Sequence, residues 1–180
     1  MKKVVRAEYI WIDGSSPTQK LRSKTRIISE TPPDKKGLEK LEARYSNANE
    51  FPEWGFDGSS TNQSPGENSD LILKPIRFVP DPTRDSNSDF LVLCEVLNTD
   101  SEKTPHASNT RAGLVEMCKQ RQVMQTWFGF EQEYTLYSDR GRPLGWPDRQ
   151  RDFPAPQGGF YCGVGADEVF GRDVVEEHIL

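Results

Sequence analysis

The sequence predicts an α+β protein, with strands concentrated early in the chain, a helix after them and a further strand beyond. Three observations predict it. Side-chain character alternates along A‑E‑Y‑I‑W‑I (residues 7 to 12) and L‑R‑S‑K‑T‑R‑I‑I (21 to 28), the period of a strand with one covered face. Apolar runs of strand length recur at 70 to 79 and 89 to 97. Helical spacing is sustained only after Asn109, at Leu114, Val115, Cys118, Val123 and Met124.

In chain order, the first two strands are joined by the turn-rich D‑G‑S‑S‑P‑T and read as a hairpin. Arg22, Lys24 and Arg26 share one face of its second arm, most simply a solvated face, alternatively an anion-binding stripe. Residues 29 to 52 hold Pro32, Pro33, Gly37 and Pro52 around a short helical pattern of Leu38, Leu41 and Tyr45, and read as a crossover or surface excursion. In W‑G‑F‑D‑G‑S‑S‑T‑N‑Q, residues 54 to 63, two aromatics run into a polar turn. Asp57‑Gly58 is a common turn dipeptide and a tight loop is the simple expectation. Yet six of the seven residues from Asp57 to Gln63 carry hydrogen-bonding side chains, enough to hold a polar ligand. The loop P‑D‑P‑T‑R‑D‑S‑N‑S separates the next two strands. The polar, aperiodic stretch 98 to 108 marks a domain boundary. Asn109 or Thr110 caps the helix, which ends before Trp127. After Tyr134, D‑R‑G‑R‑P‑L turns the chain as a hairpin. The G‑x‑G at 163 to 165 lacks the third glycine of a dinucleotide fingerprint, there is no G‑K‑[ST], and tight turns are expected there. Gly171 to Leu180 opens a helix inside which the sequence stops, as a truncated record would.

Composition narrows the function classes. A chain of 180 residues can bury one ordinary core, or a small domain and part of a second. Aromatics at 10% exclude a disordered polar chain, while 13 prolines and 14 glycines imply many turns. A net charge of −5, with no basic tract beyond Lys20 to Arg26, argues against nucleic acid as a partner. Arg6 and Glu8 interrupt the apolar core that a signal peptide needs, and no run is long enough to span a bilayer, so a cytoplasmic protein without a membrane partner is expected. Cys94, Cys118 and Cys162 are odd in number and form no CxxC pair, which suits reduced, mostly buried thiols better than a disulfide frame or a zinc site. Two histidines are too few for a histidine-rich metal centre.

The stretch W‑F‑G‑F‑E‑Q‑E‑Y, residues 127 to 134, concentrates the chemistry. As a strand it places Phe128, Phe130, Gln132 and Tyr134 on one face, suited to burial, and Gly129, Glu131, Glu133 and Thr135 on the other. Like charges at i and i+2 repel and lose hydration when covered. The pair is therefore either the outer face of a half-exposed sheet or a set of oxygen ligands for a hard cation such as Mg²⁺ or Mn²⁺.

Together these segments resemble the glutamine synthetases of the type II, eukaryotic-like class. The matching stretches are A‑E‑Y‑I‑W‑I‑D‑G (7 to 14), L‑R‑S‑K‑T‑R (21 to 26), W‑G‑F‑D‑G‑S‑S‑T‑N‑Q (54 to 63), L‑V‑L‑C‑E‑V‑L‑N‑T‑D (91 to 100), W‑F‑G‑F‑E‑Q‑E‑Y‑T‑L (127 to 136), R‑P‑L‑G‑W‑P (142 to 147) and the run from Pro154 to Asp167. The resemblance implies a small N-terminal β-grasp-like domain, residues 1 to 103, followed from 104 to 180 by the start of a larger antiparallel-sheet catalytic domain. It implies ATP-dependent ligation of ammonia to L-glutamate through a γ-glutamyl phosphate. Glu131 and Glu133 become metal ligands, with Glu131 nearest the nucleotide phosphates and Trp127 offering a ring to the adenine or packing in the core. Asp57 becomes the catalytic group that attracts ammonium and takes its proton, with Ser60 as its hydrogen-bonding partner. It also implies homo-oligomeric rings, expected as a decamer, in which the D‑G‑S‑S loop serves a neighbouring subunit. Family chains are about twice as long, and the other half brings further glutamates, a metal-binding histidine and the arginines that hold ATP and glutamate. Alone, these 180 residues are expected to be catalytically incomplete, and a non-catalytic or truncated assembly subunit is the alternative. The charged turn D‑R‑Q‑R‑D at 148 to 152, and Phe160 where an aromatic alcohol is common in the family, depart from the pattern.

Overall fold

The computed structural model describes residues 3–30, 47–84, 88–121, 124–147 and 152–179. Its centre is a five-stranded sheet built from β1 (Lys3–Ile12), β2 (Leu21–Glu30), β3 (Trp54–Asp57), β4 (Asp70–Pro80) and β5 (Asp89–Leu97), in the order β2‑β1‑β5‑β4‑β3. β1 runs parallel to β5, and every other neighbouring pair is antiparallel. The helices α1 (Thr110–Gln120) and α2 (Arg172–Ile179) follow the strands, so the α+β class holds. The contacts divide the chain into two compact units, Met1–Gln125 and Thr126–Leu180. The expected boundary at 103/104 falls inside the first unit, before α1, and Arg111 of α1 pairs with Glu95 of β5.

Alternation decides the core of the first unit. Val5, Ala7, Tyr9 and Trp11 of β1, Leu71 and Leu73 of β4, and Phe90, Val92, Cys94 and Val96 of β5 point to one face and are buried with Phe51 and Phe56. Burying a side chain of this size stabilises by about 1.5–3 kcal/mol, and the rings add edge contacts such as Trp11–Phe56 at 5.0 Å and Phe51–Phe90 at 5.6 Å. Tyr9 keeps its polar end satisfied by donating to the Pro52 carbonyl at 2.7 Å, and burial pushes its hydroxyl up to about 12.

Four expectations change. Trp54–Asp57 is a strand rather than part of a loop, because it finds β4 as a ladder partner from Trp54↔Leu73 to Asp57↔Asp70. The basic stripe of β2 is half-exposed rather than fully solvated. Its register, Trp11↔Arg22, Tyr9↔Lys24 and Ala7↔Arg26, turns it toward the core side, where Arg22 pairs with Asp13 at 2.9 Å, Lys24 donates to Gly55 O at 3.0 Å and Arg26 to Glu53 O at 2.9 Å. Lys24 Nζ also stands 3.7 Å from the Trp54 ring. The three thiols are free, but only Cys94 is buried, while Cys118 and Cys162 are exposed. Trp127–Tyr134 carries no ladder, and Trp127, Phe128 and Phe130 are 96%, 75% and 97% exposed. A strand persists only with a neighbour to bond and a layer to cover it, and the described residues supply neither.

α1 starts where expected, with Asn109 accepting from Ala112 N at 3.3 Å, and stops at Gln120, so Met124 lies beyond it. The D‑R‑G‑R‑P‑L segment does fold back, with a Tyr137↔Pro143 bridge and Gly141 at φ +71°. The helical pattern of Leu38, Leu41 and Tyr45 and most of the charged turn at 148 to 152 lie outside the described residues.

Candidate functional site

In the first unit the polar loop begins where β3 ends. Asp57 is the N-cap of a single 3₁₀ turn, Gly58–Thr61, and its side chain accepts from Ser59 N, the local bond an aspartate makes ahead of a helical turn. Its Oδ1 receives the Ser59 backbone N–H at 2.9 Å and the Ser59 hydroxyl at 2.6 Å, and its Oδ2 receives the Ser60 hydroxyl at 3.2 Å. These bonds, Ser59's first, hold the exposed carboxyl below the usual carboxylate range. Ser60 is thus a partner as expected, but Ser59 is the nearer one. The signal for it was present, since an aspartate cap takes a donor two positions on.

The loop is fitted closely to the sheet. A Cβ on Gly14 would meet the backbone at Asn62 O, 2.0 Å away, so that position needs glycine, and one on Gly58 would press on the side chains of Leu71 and Ser64, each at 2.6 Å. Gly14 N donates to Thr61 O at 2.9 Å, and Gly58 N to Ser69 O at 2.7 Å. Beneath lies Asp13, a buried carboxylate that sequence reasoning passed over as part of a turn. Burial opposes its charge, but donors from Lys20 N, Ser15 N, Ser15 Oγ and Arg22 outweigh it and hold the group far below the usual range. It organises the β1–β2 connection rather than any chemistry.

In the second unit Glu131 and Glu133 are both exposed, two residues apart, with Trp127 upstream. Carboxylate oxygens suit a hard divalent ion. Among the described residues, however, no group of three or more His, Cys, Asp or Glu side chains could hold one, so the pair offers donors of the right kind without a complete set. No described helix is long and apolar enough to cross a membrane.

Residues 3–99, which include all five strands and the Asp57 loop, match the family model described as glutamine synthetase, beta-Grasp domain. The chain belongs to this glutamine synthetase family. A glutamine synthetase from Streptomyces viridochromogenes is 58% identical over 174 residues, which cover 97% of this chain and 45% of that protein. One from Streptomyces hygroscopicus is 49% identical over 175 residues, with 97% and 45% covered. Glutamine synthetase 1, mitochondrial, from Drosophila melanogaster is 43% identical over 176 residues, with 98% and 39% covered. The chain therefore spans less than half the length of these glutamine synthetases. The mixed sheet, with its first strand parallel to its last, is the β-grasp domain that the resemblance implied.

Proposed function

We propose that this chain, within a protein of its relatives' length, belongs to a cytoplasmic glutamate–ammonia ligase that makes L-glutamine from L-glutamate, ammonia and ATP. In this reading ATP phosphorylates the γ-carboxylate of glutamate. Ammonium, bound beside Asp57, gives it a proton, and the resulting ammonia attacks the acyl carbon as phosphate leaves. The observation that carries the reading is the state of Asp57: a carboxylate both exposed and held ionised by Ser59 and Ser60 can attract and bind a cation such as ammonium. Residues 1–103 would be the β-grasp domain and residues from 104 the beginning of the catalytic domain.

Glu131 and Glu133 would hold Mg²⁺ or Mn²⁺ together with ligands from elsewhere in the full-length protein, Glu131 facing the nucleotide phosphates and Trp127 the adenine. A divalent ion, when bound, screens the negative charge of the nucleotide. Assembly would be a homo-oligomeric ring, a decamer, with the Asp57 loop completing a neighbour's site. The decisive experiment is Asp57→Ala in the full-length protein. Glutamine formation should fall about a hundredfold or more, as for loss of a group used in proton transfer, while KM for ATP and glutamate stays within about twofold. Unchanged turnover would remove Asp57 from the mechanism.

A further inference from the structure

Gln63, six residues beyond Asp57, is buried at 6% exposure, and neither its sequence context nor the chemistry above gives it a task. Its amide makes four hydrogen bonds. Oε1 accepts from Trp11 Nε1 at 3.3 Å and from the Thr61 hydroxyl at 2.7 Å, and Nε2 donates to Ile12 O at 3.2 Å and to Ser108 Oγ at 2.7 Å. An amide has two donor hydrogens and two acceptor lone pairs, so its capacity is fully used. The orientation follows from the partners, because an indole N–H can only donate and a carbonyl can only accept. Ser108 is oriented in turn. Its backbone N–H donates to His106 Nδ1 at 3.1 Å, which makes that nitrogen an acceptor, so its hydroxyl, 2.9 Å from the same nitrogen, donates there and accepts from Gln63.

One side chain thus ties together three segments remote in sequence: the end of β1, the turn that carries Asp57 and the turn at 106–108 ahead of α1. Asp57 ends β3 opposite Asp70 of β4, and its carboxylate bonds to the loop serines Ser59, Ser60 and Ser69. The ladder places its backbone and the serine bonds set its charge and rotamer, but the turn that carries Ser59 and Ser60 needs its own support from below. We propose that Gln63 is a positioning residue for the ammonium step, fixing the Asp57 turn against β1 and the 106–108 turn. This rests on the reading of Asp57 as the ammonium site. A fully satisfied buried amide specifies one geometry, and proton transfer within a pre-set contact is sensitive to displacements well below the size of an atom.

The test uses the full-length protein and steady-state glutamine formation over a range of ammonium concentrations, with Gln63→Glu, Ser108→Ala, Asp57→Asn and the two double variants. Gln63→Glu keeps the shape but turns two donors into acceptors facing Ile12 O and Ser108. It should lower kcat/KM for ammonium about tenfold or more and leave KM for ATP and glutamate within about twofold; Ser108→Ala, losing one bond, should cost about threefold. Both losses should disappear in the Asp57→Asn background, since a positioning residue has nothing left to position. Losses that persist there, or that spread equally to ATP and glutamate, overturn the proposal and leave Asp57 as the base. If Asp57→Asn is itself fully active, the reading of Asp57 and this proposal fall together. Should Gln63→Glu fail to fold, Ser108→Ala decides by the same criterion.

Discussion

Lys24 and Trp54 offer the sharpest check on how the edge of the sheet is held. Lys24→Met keeps the aliphatic stem but removes the bond from Nζ to Gly55 O at 3.0 Å and the charge 3.7 Å from the Trp54 ring. A hydrogen bond from a charged donor contributes about 1.5 kcal/mol at the lower end of its range. A cation over an indole at a half-buried site contributes about 1 kcal/mol, between the exposed and desolvated values. Burial and the neighbouring Arg26 charge both oppose the ammonium, so the single variant should lose about 1 kcal/mol, less than the sum of these two contributions. Trp54→Leu loses the same cation contact and the edge-on packing with Tyr9 at 5.5 Å, the latter about 0.5–1.5 kcal/mol beyond buried area. Because the cation contact is counted in both, the double variant should be less destabilised than the sum by about 1 kcal/mol. Urea unfolding of the four proteins, followed by far-ultraviolet circular dichroism, measures this coupling. A coupling under about 0.3 kcal/mol, the ordinary error of additivity, would mean that the stripe is the solvated face its alternation first suggests.

Three further outcomes are expected. Glu133→Ala in the full-length protein should weaken Mn²⁺ binding about tenfold or more without lowering the unfolding midpoint, since the side chain is exposed; an unchanged affinity would make the pair ordinary surface charge. Titration with a thiol reagent at pH 8 should show Cys118 and Cys162 reacting quickly and Cys94 only on unfolding, because burial pushes the Cys94 thiol up to about 12; rapid reaction of all three would contradict the packing of β5. Asp13 has its folded-state pKa depressed from an ordinary 3.8, so its contribution is present above about pH 4 and lost as pH falls further. Asp13→Asn should accordingly be less stable than the parent at pH 7, and the gap should narrow toward pH 2, a trend that acid unfolding curves would reveal or refute.

The parts of the fold legible in the sequence are those whose signal is local. β1, β2, β4 and β5 follow from alternation and apolar runs, and α1 from its cap and spacing. β3 was hidden because Gly55 and Asp57 are poor strand formers, and only pairing with Leu71–Leu73 makes them extended. Parity put Arg22, Lys24 and Arg26 on one face but could not say which, since that depends on the register of Lys24 opposite Tyr9. At Trp127–Tyr134 the period is real, but no partner strand stands beside it among the described residues, so the same pattern stays unpaired. Asp57 was visible as a polar turn joined to a family motif. Gln63 was not, because its partners Trp11 and Ser108 are separated from it by 52 and 45 positions.

The proposed role makes two conflicting demands on Asp57. To attract ammonium the carboxylate would have to be charged and reachable, which favours an exposed loop; to receive a proton at a defined distance it would have to be immobile, which exposed loops resist. Charge and reach are met at the surface, by Ser59 and Ser60. Immobility is met underneath, by the glycine contacts at Gly14 and Gly58 and by the amide of Gln63. A cap serving only its own turn would need the first arrangement and not the second, for one bond from Ser59 N satisfies it. The depth of the anchoring exceeds what a cap requires. If the loop serves the proposed ammonium step, damage from below should reach that step before it reaches the fold.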